Sequence, residues 1–486
     1  MFVNSFNSMI TPNVFLREAA PAAAIRGSGI GTIGVVVQSI RGLVGVPTVV
    51  SDLSDYTRKF GDYDVAIKDD FMYVYNMLKQ GADSLMVVRA VDGTAVVASG
   101  TVQGTTFTLK SGGTWGNAVT LTIAASTVSG YVDLSFKYGA KEQYDYKQVQ
   151  FTSTTGTRYF KDVIEAAPDD FVNVLVAGTV NPSGQVVSFA GGTNGTTVGS
   201  AAADSIYVGT NASGGLTGLV AFEAEDSVNF VCSARNTDTV NAALLAHVAI
   251  AGVTPRMAIV SPASGKTVSE MVTLMATYNQ DQVIMTYPWL QVVNPYNNKK
   301  EYHAPSSFYA GLLSTLSYEQ SPSRKQILGV IGSERSLTNA EVDTLTSNRV
   351  SPITLISGQG FVVRNGYNTS SNPARQNITR RRAVNFFATA FEAGSQQFVS
   401  RPHTEALRND IKRAFGSLIE NELAVGKIGN VNGGKVYAVK CDSQNNPNEV
   451  VRANRCMVDI QISLLAPADF IAVTLDASEA KVVDTQ

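Results

Sequence analysis

Apolar residues recur at helical spacing through the last quarter of the chain. Leu407, Ile411, Ala414, Phe415, Leu418, Ile419 and Leu423 form a 3.6-residue stripe, which predicts an amphipathic helix over His403–Leu423. A helix ahead of it is predicted through Val384, Phe387, Ala388 and Phe391, opened by the basic run Arg380–Arg382. Strands are expected at Val436–Val439 and Cys456–Leu465, with a polar turn at Asp442–Asn448 between them. The chain then runs on through Phe470, Ile471, Val473 and Leu475, an extended apolar tail with no later strand to shield it. Such a segment is a candidate to pair with another chain.

Nearer the start, the period changes. Ile30–Val37 and Leu85–Val91 are mostly apolar segments expected as buried strands. Between them, Ser51 or Asp52 caps a short helix that Gly61 ends, and Ala66–Gln80 is amphipathic up to Gly81. This order predicts a layered α/β core with parallel pairing. From Gly93 to about Gly199 the chain turns to Thr, Ser, Gly and Val, with short alternating strands at Thr106–Leu109, Ala118–Ile123 and Val132–Phe136, the pattern of a β-rich insertion. Strands at Val228–Cys232, Met257–Val260 and Gln282–Tyr287 then alternate with helices at Asp238–Ala251, where Asp238 is the expected N-cap, and Val268–Tyr278. The expected division is an arm at 1–24, a core at 25–92 and 200–367, an insertion at 93–199, a C-terminal α/β domain at 368–470 and an arm at 471–486. In the first arm, Phe15 and Leu16 are apolar anchors between Pro12 and Pro21.

Composition narrows the function classes. In 486 residues, Lys and Arg number 38 against 40 Asp and Glu, so there is no basic surplus for phosphate backbones. Charged residues make up 16% and hydrophobic ones 44%, a balance expected of a subunit that covers much of its surface in an assembly. No apolar run reaches the length of a membrane span, and Met1–Ile10 lacks the basic start of a signal peptide. Cys232, Cys441 and Cys456 have no metal-ligand spacing and suit a reducing compartment.

Two phosphate-loop patterns are weak. Gly29-Ile30-Gly31-Thr32-Ile33-Gly34 fits G-x-G-x-x-G but precedes a strand, whereas a dinucleotide loop opens a helix. Gly265-Lys266-Thr267 stands between a strand and a helix, yet Val260 occupies the place of the first glycine and Pro262 removes an amide from the cradle. A helix N-terminal turn is the favoured reading there. His247, His303 and His403 belong to no nucleophile motif, and His247 is expected in the core. No catalytic, cofactor or metal residue is assigned, and the protein is not expected to be an enzyme.

An ordered set of short motifs resembles the contractile phage tail sheath family. It comprises Gly34–Val37 with Arg41-Gly42, Phe60-Gly61 with Val87–Val91, Gly113–Asn117, Gly191–Gly195, Tyr287–Leu290, Ala304–Ser306 with Ala310-Gly311, Arg381-Arg382, Val439–Asp442 with Asn446, and Ala466–Ile471. Pro12-Asn13-Val14 and Val363–Tyr367 depart from the family's pattern. The resemblance implies a subtilisin-like core and a homo-oligomer of hexameric rings stacked helically around an inner tail tube protein, with baseplate and tail terminator proteins as further partners. It implies a tail sheath assembled in the host cytoplasm, with no cofactor, no direct nucleic-acid contact and no membrane insertion. Arms carrying Phe15, Leu16, Phe470, Ile471, Val473 and Leu475 would add strands to neighbouring subunits. Arg408, Lys412 and Arg413 are the candidate contacts to the tube, and Arg380–Arg382 the candidate intersubunit ion-pair donors. A tailocin sheath remains open, as does, from another class, a phosphate-binding α/β enzyme using Gly265–Thr267.

Overall fold

A computed structural model describes residues 29–467 except 103, 140–141, 151–157, 166–173, 178–183, 196–198, 200–202, 213–214 and 251. Phe15, Leu16, Phe470, Ile471, Val473 and Leu475 therefore lie outside the described residues.

The core is one eight-stranded sheet built from β1 (Ile33–Val37), β2 (Thr48–Val50), β3 (Leu85–Arg89), β4 (Phe230–Ser233), β5 (Met257–Val260), β6 (Val283–Tyr287), β7 (Val350–Ile356) and β8 (Gly360–Val363). Their spatial order is β2-β3-β1-β4-β5-β6-β7-β8. Neighbours from β3 to β7 pair in parallel, and β2 and β8 close the edges antiparallel. Every residue of β1, β3, β4, β5 and β6 is buried. That is why these segments are mostly apolar without alternation: a parallel sheet carries helices on both faces. Alternate residues serve opposite layers. Ile33, Val35 and Val37 join the apolar layer that holds α2 (Lys68–Lys79) and α5 (Pro305–Thr315), while Val36 joins the layer on the other face, which holds α3 (Asp238–Val248), α4 (Val268–Met275) and α6 (Asn339–Ser347).

The predicted α1 is present as Leu53–Phe60. Asp52 accepts the Asp55 amide at 2.8 Å, and Gly61 ends the helix at a φ of 96°. One cap differs from expectation. Thr237, not Asp238, caps α3, because its Oγ accepts the Val240 amide at 3.3 Å while Asp238 already has helical position. Glycine matters where α5 crosses its neighbours. A Cβ on Gly311 would stand 2.6 Å from the Met77 carbonyl, and one on Gly31 2.6 Å from the Ser314 carbonyl. Gly31 thus serves close packing before a strand, not a cofactor loop.

Between β3 and β4 lies a β-rich body with its own apolar cluster, including Phe107, Trp115, Leu121, Leu134, Phe136, Phe160 and Phe189. Strands Val119–Ala125, Val132–Tyr138 and Glu142–Val149 form a meander that Gln185–Ser188 joins on one side. Its two ends are fastened together. Val96 pairs with Thr193, and Asn117 exchanges two hydrogen bonds with Gly192 at 2.9 and 2.8 Å. The Gly113–Asn117 and Gly191–Gly195 motifs are the two sides of this joint. Buried arginines of the core hold it from below. Arg89 donates to Ser111 Oγ at 2.9 Å and to the Ile40 and Gly42 carbonyls at 3.0 Å each. The Arg41 guanidinium lies 5.0 Å from the Tyr138 ring and 5.9 Å from Trp115.

Candidate assembly interface in the C-terminal module

The C-terminal module is a helix pair carrying a small hairpin. Helix α7 (Ile378–Ser395) is capped by Asn377, whose Oδ1 accepts the Thr379 amide at 2.9 Å. Helix α8 (Glu405–Ala424) is capped by Thr404 at 3.2 Å from the Leu407 amide. The predicted stripe is buried at Leu407, Ile411, Ala414, Phe415, Leu418 and Ile419, against Phe386, Phe387, Ala390 and Phe398. In α7 the buried face differs from expectation. Arg382, Ala383 and Phe386 point inward and Val384 is exposed.

The basic run at the start of α7 divides by burial. Arg382 is 4% exposed and donates to the carbonyls of Leu313 at 3.2 Å, Leu316 at 2.5 Å and Ser317 at 3.0 Å, with Phe230 under its guanidinium. Arg381 pairs with Asp281 at 3.2 Å and donates to Asn385 at 2.9 Å. Both arginines bind partners within their own chain. They tie the module to the core, and Arg380 alone of the three is exposed.

The hairpin consists of β9 (Tyr437–Lys440) and β10 (Asp459–Ile462), paired antiparallel from Tyr437↔Ile462 to Lys440↔Asp459. These strands are shorter than the expected runs. Among the described residues neither outer edge pairs with another strand. The connection is more than a polar turn, since it contains α9 (Asn448–Arg452), which has no buried residue. Asn446 closes it: its Oδ1 accepts the Met457 amide at 2.7 Å, and its Nδ2 donates to the Met457 carbonyl at 2.9 Å and the Asp442 carbonyl at 3.1 Å. The motif Val439–Asp442 with Asn446 is thus a loop clamp. Two grooves flank the hairpin. One, between α8 and β9, is lined by Lys412, Arg413, Gly416, Glu420 and Tyr437, and the Tyr437 hydroxyl donates to Glu420. The other, of about 760 Å³, runs past Phe398, His403, Leu407, Phe415, Cys456 and Val458.

The structure separates the three candidate cations. Lys412 and Arg413 share the groove beside β9. Arg413 is well exposed, with 70% of its side chain accessible, and pairs with Asp410, which also takes Arg401 at 3.4 Å. Arg408 lies a turn earlier, half-buried, with its Nε buried and without a hydrogen-bond partner, and its charge acts on Cys441.

Features that could serve chemistry are engaged otherwise. Thr267 and Glu270 form a reciprocal capping box at the start of α4, so the Glu270 carboxylate already occupies the Thr267 amide at 2.7 Å. His247 is buried beside Arg256, and burial lowers its pKa to about 4. In open α/β sheets, ligands bind outside the strand ends where the strand order reverses, here between β1 and β4. That crevice is filled by the chain itself. The Gly199 amide donates to Gln38 Oε1 at 2.6 Å, Tyr207 donates to Asp70 at 2.9 Å, and Arg235 holds Asp204 at 2.9 Å.

Burial raises the Asp70 pKa to about 7 from 3.8, while its Oδ1 accepts from the Gln38 amide at 2.7 Å. The unfolded chain releases this proton near 3.8 and the folded chain near 7. The contribution of protonated Asp70 to stability is therefore complete below the lower value and lost as pH rises through the upper one. Asp70→Asn should remove this share of the pH dependence between about pH 4 and 7 in urea unfolding. Identical slopes for both proteins would refute a protonated Asp70.

No protein-family model matches the chain. A tail sheath protein of Vibrio phage KVP40 is 23% identical over 238 residues, covering 46% of this chain and 34% of that protein. The chain therefore spans about a third of that relative's length. Solved structures match far more of it. The sheath tail protein of Listeria innocua aligns with a TM-score of 0.62 at 14% identity, over 87% of this chain and 91% of that one. The sheath tail protein of Desulfitobacterium hafniense aligns at 0.57 and 16%, over 89% and 94%. The helical sheath of the anti-feeding prophage in its contracted state aligns at 0.58 and 13%, over 98% and 100%. Across nearly its whole length, this chain has the mixed α/β, multi-domain fold of contractile sheath proteins.

Proposed function

We propose that the protein is the structural subunit of a contractile sheath, in a phage tail or a related injection particle. It polymerises as stacked hexameric rings around an inner tube and contracts to drive that tube through a cell envelope. The observation that carries this reading is the two-stranded hairpin β9–β10, with both edges unpaired among the described residues, within a sheath fold. An unpaired edge accepts a strand from another chain, and backbone pairing tolerates large rigid-body shifts of the domains it links. The segments bearing Phe15, Leu16, Phe470, Ile471, Val473 and Leu475 are the proposed donors. Contraction is the relaxation of a metastable lattice and uses no nucleotide, so the subunit is not an enzyme. Baseplate, tube and terminator proteins are its partners, and assembly takes place in the host cytoplasm. The subtilisin-like comparison finds no support among the matched structures and adds nothing to this reading. Electron microscopy of the purified protein tests it. Helically striated tubes are expected, whereas compact particles that turn over ATP would replace the sheath with an enzyme.

The tube contact is proposed at Lys412 and Arg413, with Arg408 beside them. Were these merely solvated, charge reversal would change stability by about 0.5 kcal/mol and nothing else. As a tube contact, Arg408→Glu, Lys412→Glu and Arg413→Glu together should leave the lattice intact. Tube binding should fall by about a hundredfold or more, because each small loss is repeated along the helix. Rising salt should imitate the variant. Co-sedimentation with tubes at wild-type salt dependence would remove this helix from the contact.

The division at residues 93 and 199 is part of the proposal, supported by the separate apolar cluster of the insertion. Replacing 93–199 by a short Gly/Ser linker should leave the sheet folded. The variant should nevertheless be less stable by about 1–3 kcal/mol, because Arg89 loses Ser111 and Arg41 loses Trp115 and Tyr138. A molten near-UV spectrum would show that the insertion belongs to the core.

A further inference from the structure

The loop between β9 and β10 holds two thiols whose placement goes beyond packing. Cys441 follows β9 directly and Cys456 lies just before β10, fifteen positions apart in sequence, yet their sulfurs are 3.8 Å apart. Cys441 is buried and Cys456 exposed. Apart from this pair, the loop is closed by Asn446, which bonds Met457 and Asp442 and sits 4.0 Å from the Cys441 sulfur, and by Asn445, whose Nδ2 donates to the Lys440 carbonyl at 2.8 Å and to Asp459 at 3.1 Å. Helix α9 within the loop buries nothing. The same loop forms a wall of the groove beside α8, through Val451, Asn454, Arg455 and Cys456.

We infer that Cys441 and Cys456 are a redox-controlled closure of this loop, open as thiols under reducing conditions and covalent after contact with a small-molecule disulfide. Cys456, the accessible sulfur, attacks first as its thiolate. The S–S bond of the reagent breaks, a mixed disulfide forms on Cys456, and one thiol leaves with the proton that Cys456 gave up. Cys441 then attacks the Cys456 sulfur, and the second thiol leaves with the Cys441 proton. Two protein thiols are oxidised and one reagent disulfide is reduced to two thiols. Burial and the neighbouring sulfur push the Cys441 thiol up to about 12, so it is the slower attacker, and the second step relies on the 3.8 Å approach that makes it intramolecular. Arg408 and Lys412 of α8 supply the positive field that favours its thiolate. The bond would duplicate the Asn446 clamp covalently and fix the ends of the two strands whose edges are exposed for pairing. Cys232, buried in strand β4 of the main sheet, takes no part.

Treating the full-length chain with oxidised glutathione tests this. The expected product is a peptide joining Cys441 to Cys456, with Cys232 unchanged. An arginine-specific protease cleaving after Arg452 or Arg455 should then leave one species until a thiol is added, and such cleavage should slow about tenfold or more relative to the reduced chain. Cys441→Ser should accumulate glutathione on Cys456, and Cys456→Ser should take up none in the loop. Both replacements change a sulfur for an oxygen, and native circular dichroism checks that each folds. A wild-type chain that keeps glutathione on Cys456, crosslinks between subunits through Cys456, or fails to react would overturn the inference.

Discussion

A subunit lacking residues 471–486, or lacking residues 1–20, is expected to stay folded and soluble and to form no tubes. Among the described residues, the apolar cluster of the C-terminal module draws on positions between Ile30 and Leu464. The removed segments instead carry the strands proposed to pair with the edges of β9 and β10. A strand of about five residues adds several backbone hydrogen bonds, each with a net worth near 1 kcal/mol, besides its apolar side chains. Losing it weakens every junction between subunits by about 3 kcal/mol or more, roughly a hundredfold in association. In a lattice that repeats the junction, the outcome is abolished growth rather than shorter tubes. Sedimentation and negative-stain microscopy at matched concentration measure this. Normal tubes from either truncation would end the strand-exchange reading, and an insoluble product would mean that the segment belongs to its own subunit's fold.

The second large effect is expected inside the subunit. Arg382→Met should destabilise the junction between α7 and the core by roughly 2–4 kcal/mol, because hydrogen bonds to three carbonyls at the end of α5 are lost from a dry site. Lysine should rescue little, since a single ammonium cannot reproduce a planar fork that reaches Leu313, Leu316 and Ser317 together. Arg380→Met, one turn edge away and exposed, should be nearly neutral. Hydrogen exchange read by mass spectrometry should show faster exchange along α5 and α7 in the Arg382 variant only. Equal protection in all three proteins would show that the buried guanidinium contributes no net stability.

Several elements are legible in the residues themselves. The Leu407–Leu423 stripe specifies α8, Asp52 and Gly61 bound α1, and the apolar run Met257–Val260 is β5 to the residue. Each is a local signal: a period, a cap or a run that acts within one element. Helix α5 carries no such signal. Every residue from Pro305 to Leu313 is buried, so there is no polar face to produce a period and the pattern predicts no helix there. The small sheet of Leu290–Val293, Lys300–His303 and Gly332–Ser333 was missed for a related reason, since its strands are short and pair across a distant segment. Cap and face assignments slipped where two adjacent residues compete, as at Thr237 and Asp238, or at Val384 against its neighbours.

Charge is where sequence and structure part most clearly. Three consecutive arginines look alike in the chain, yet Arg380 is exposed, Arg381 pairs with Asp281, and Arg382 is buried over the Phe230 ring. Likewise Arg408, Lys412 and Arg413 share a helix, but only the last two line one groove. The sequence by itself determined the alternation of buried strands and capped helices and the β-rich character of the insertion, because hydrophobic period and turn chemistry act over a few residues. Tertiary structure alone decided which strands became neighbours, which arginine was buried, that the two insertion motifs meet, and that Cys441 and Cys456 face each other. Those outcomes depend on residues far apart in the chain being brought to one place, and no local pattern encodes that distance.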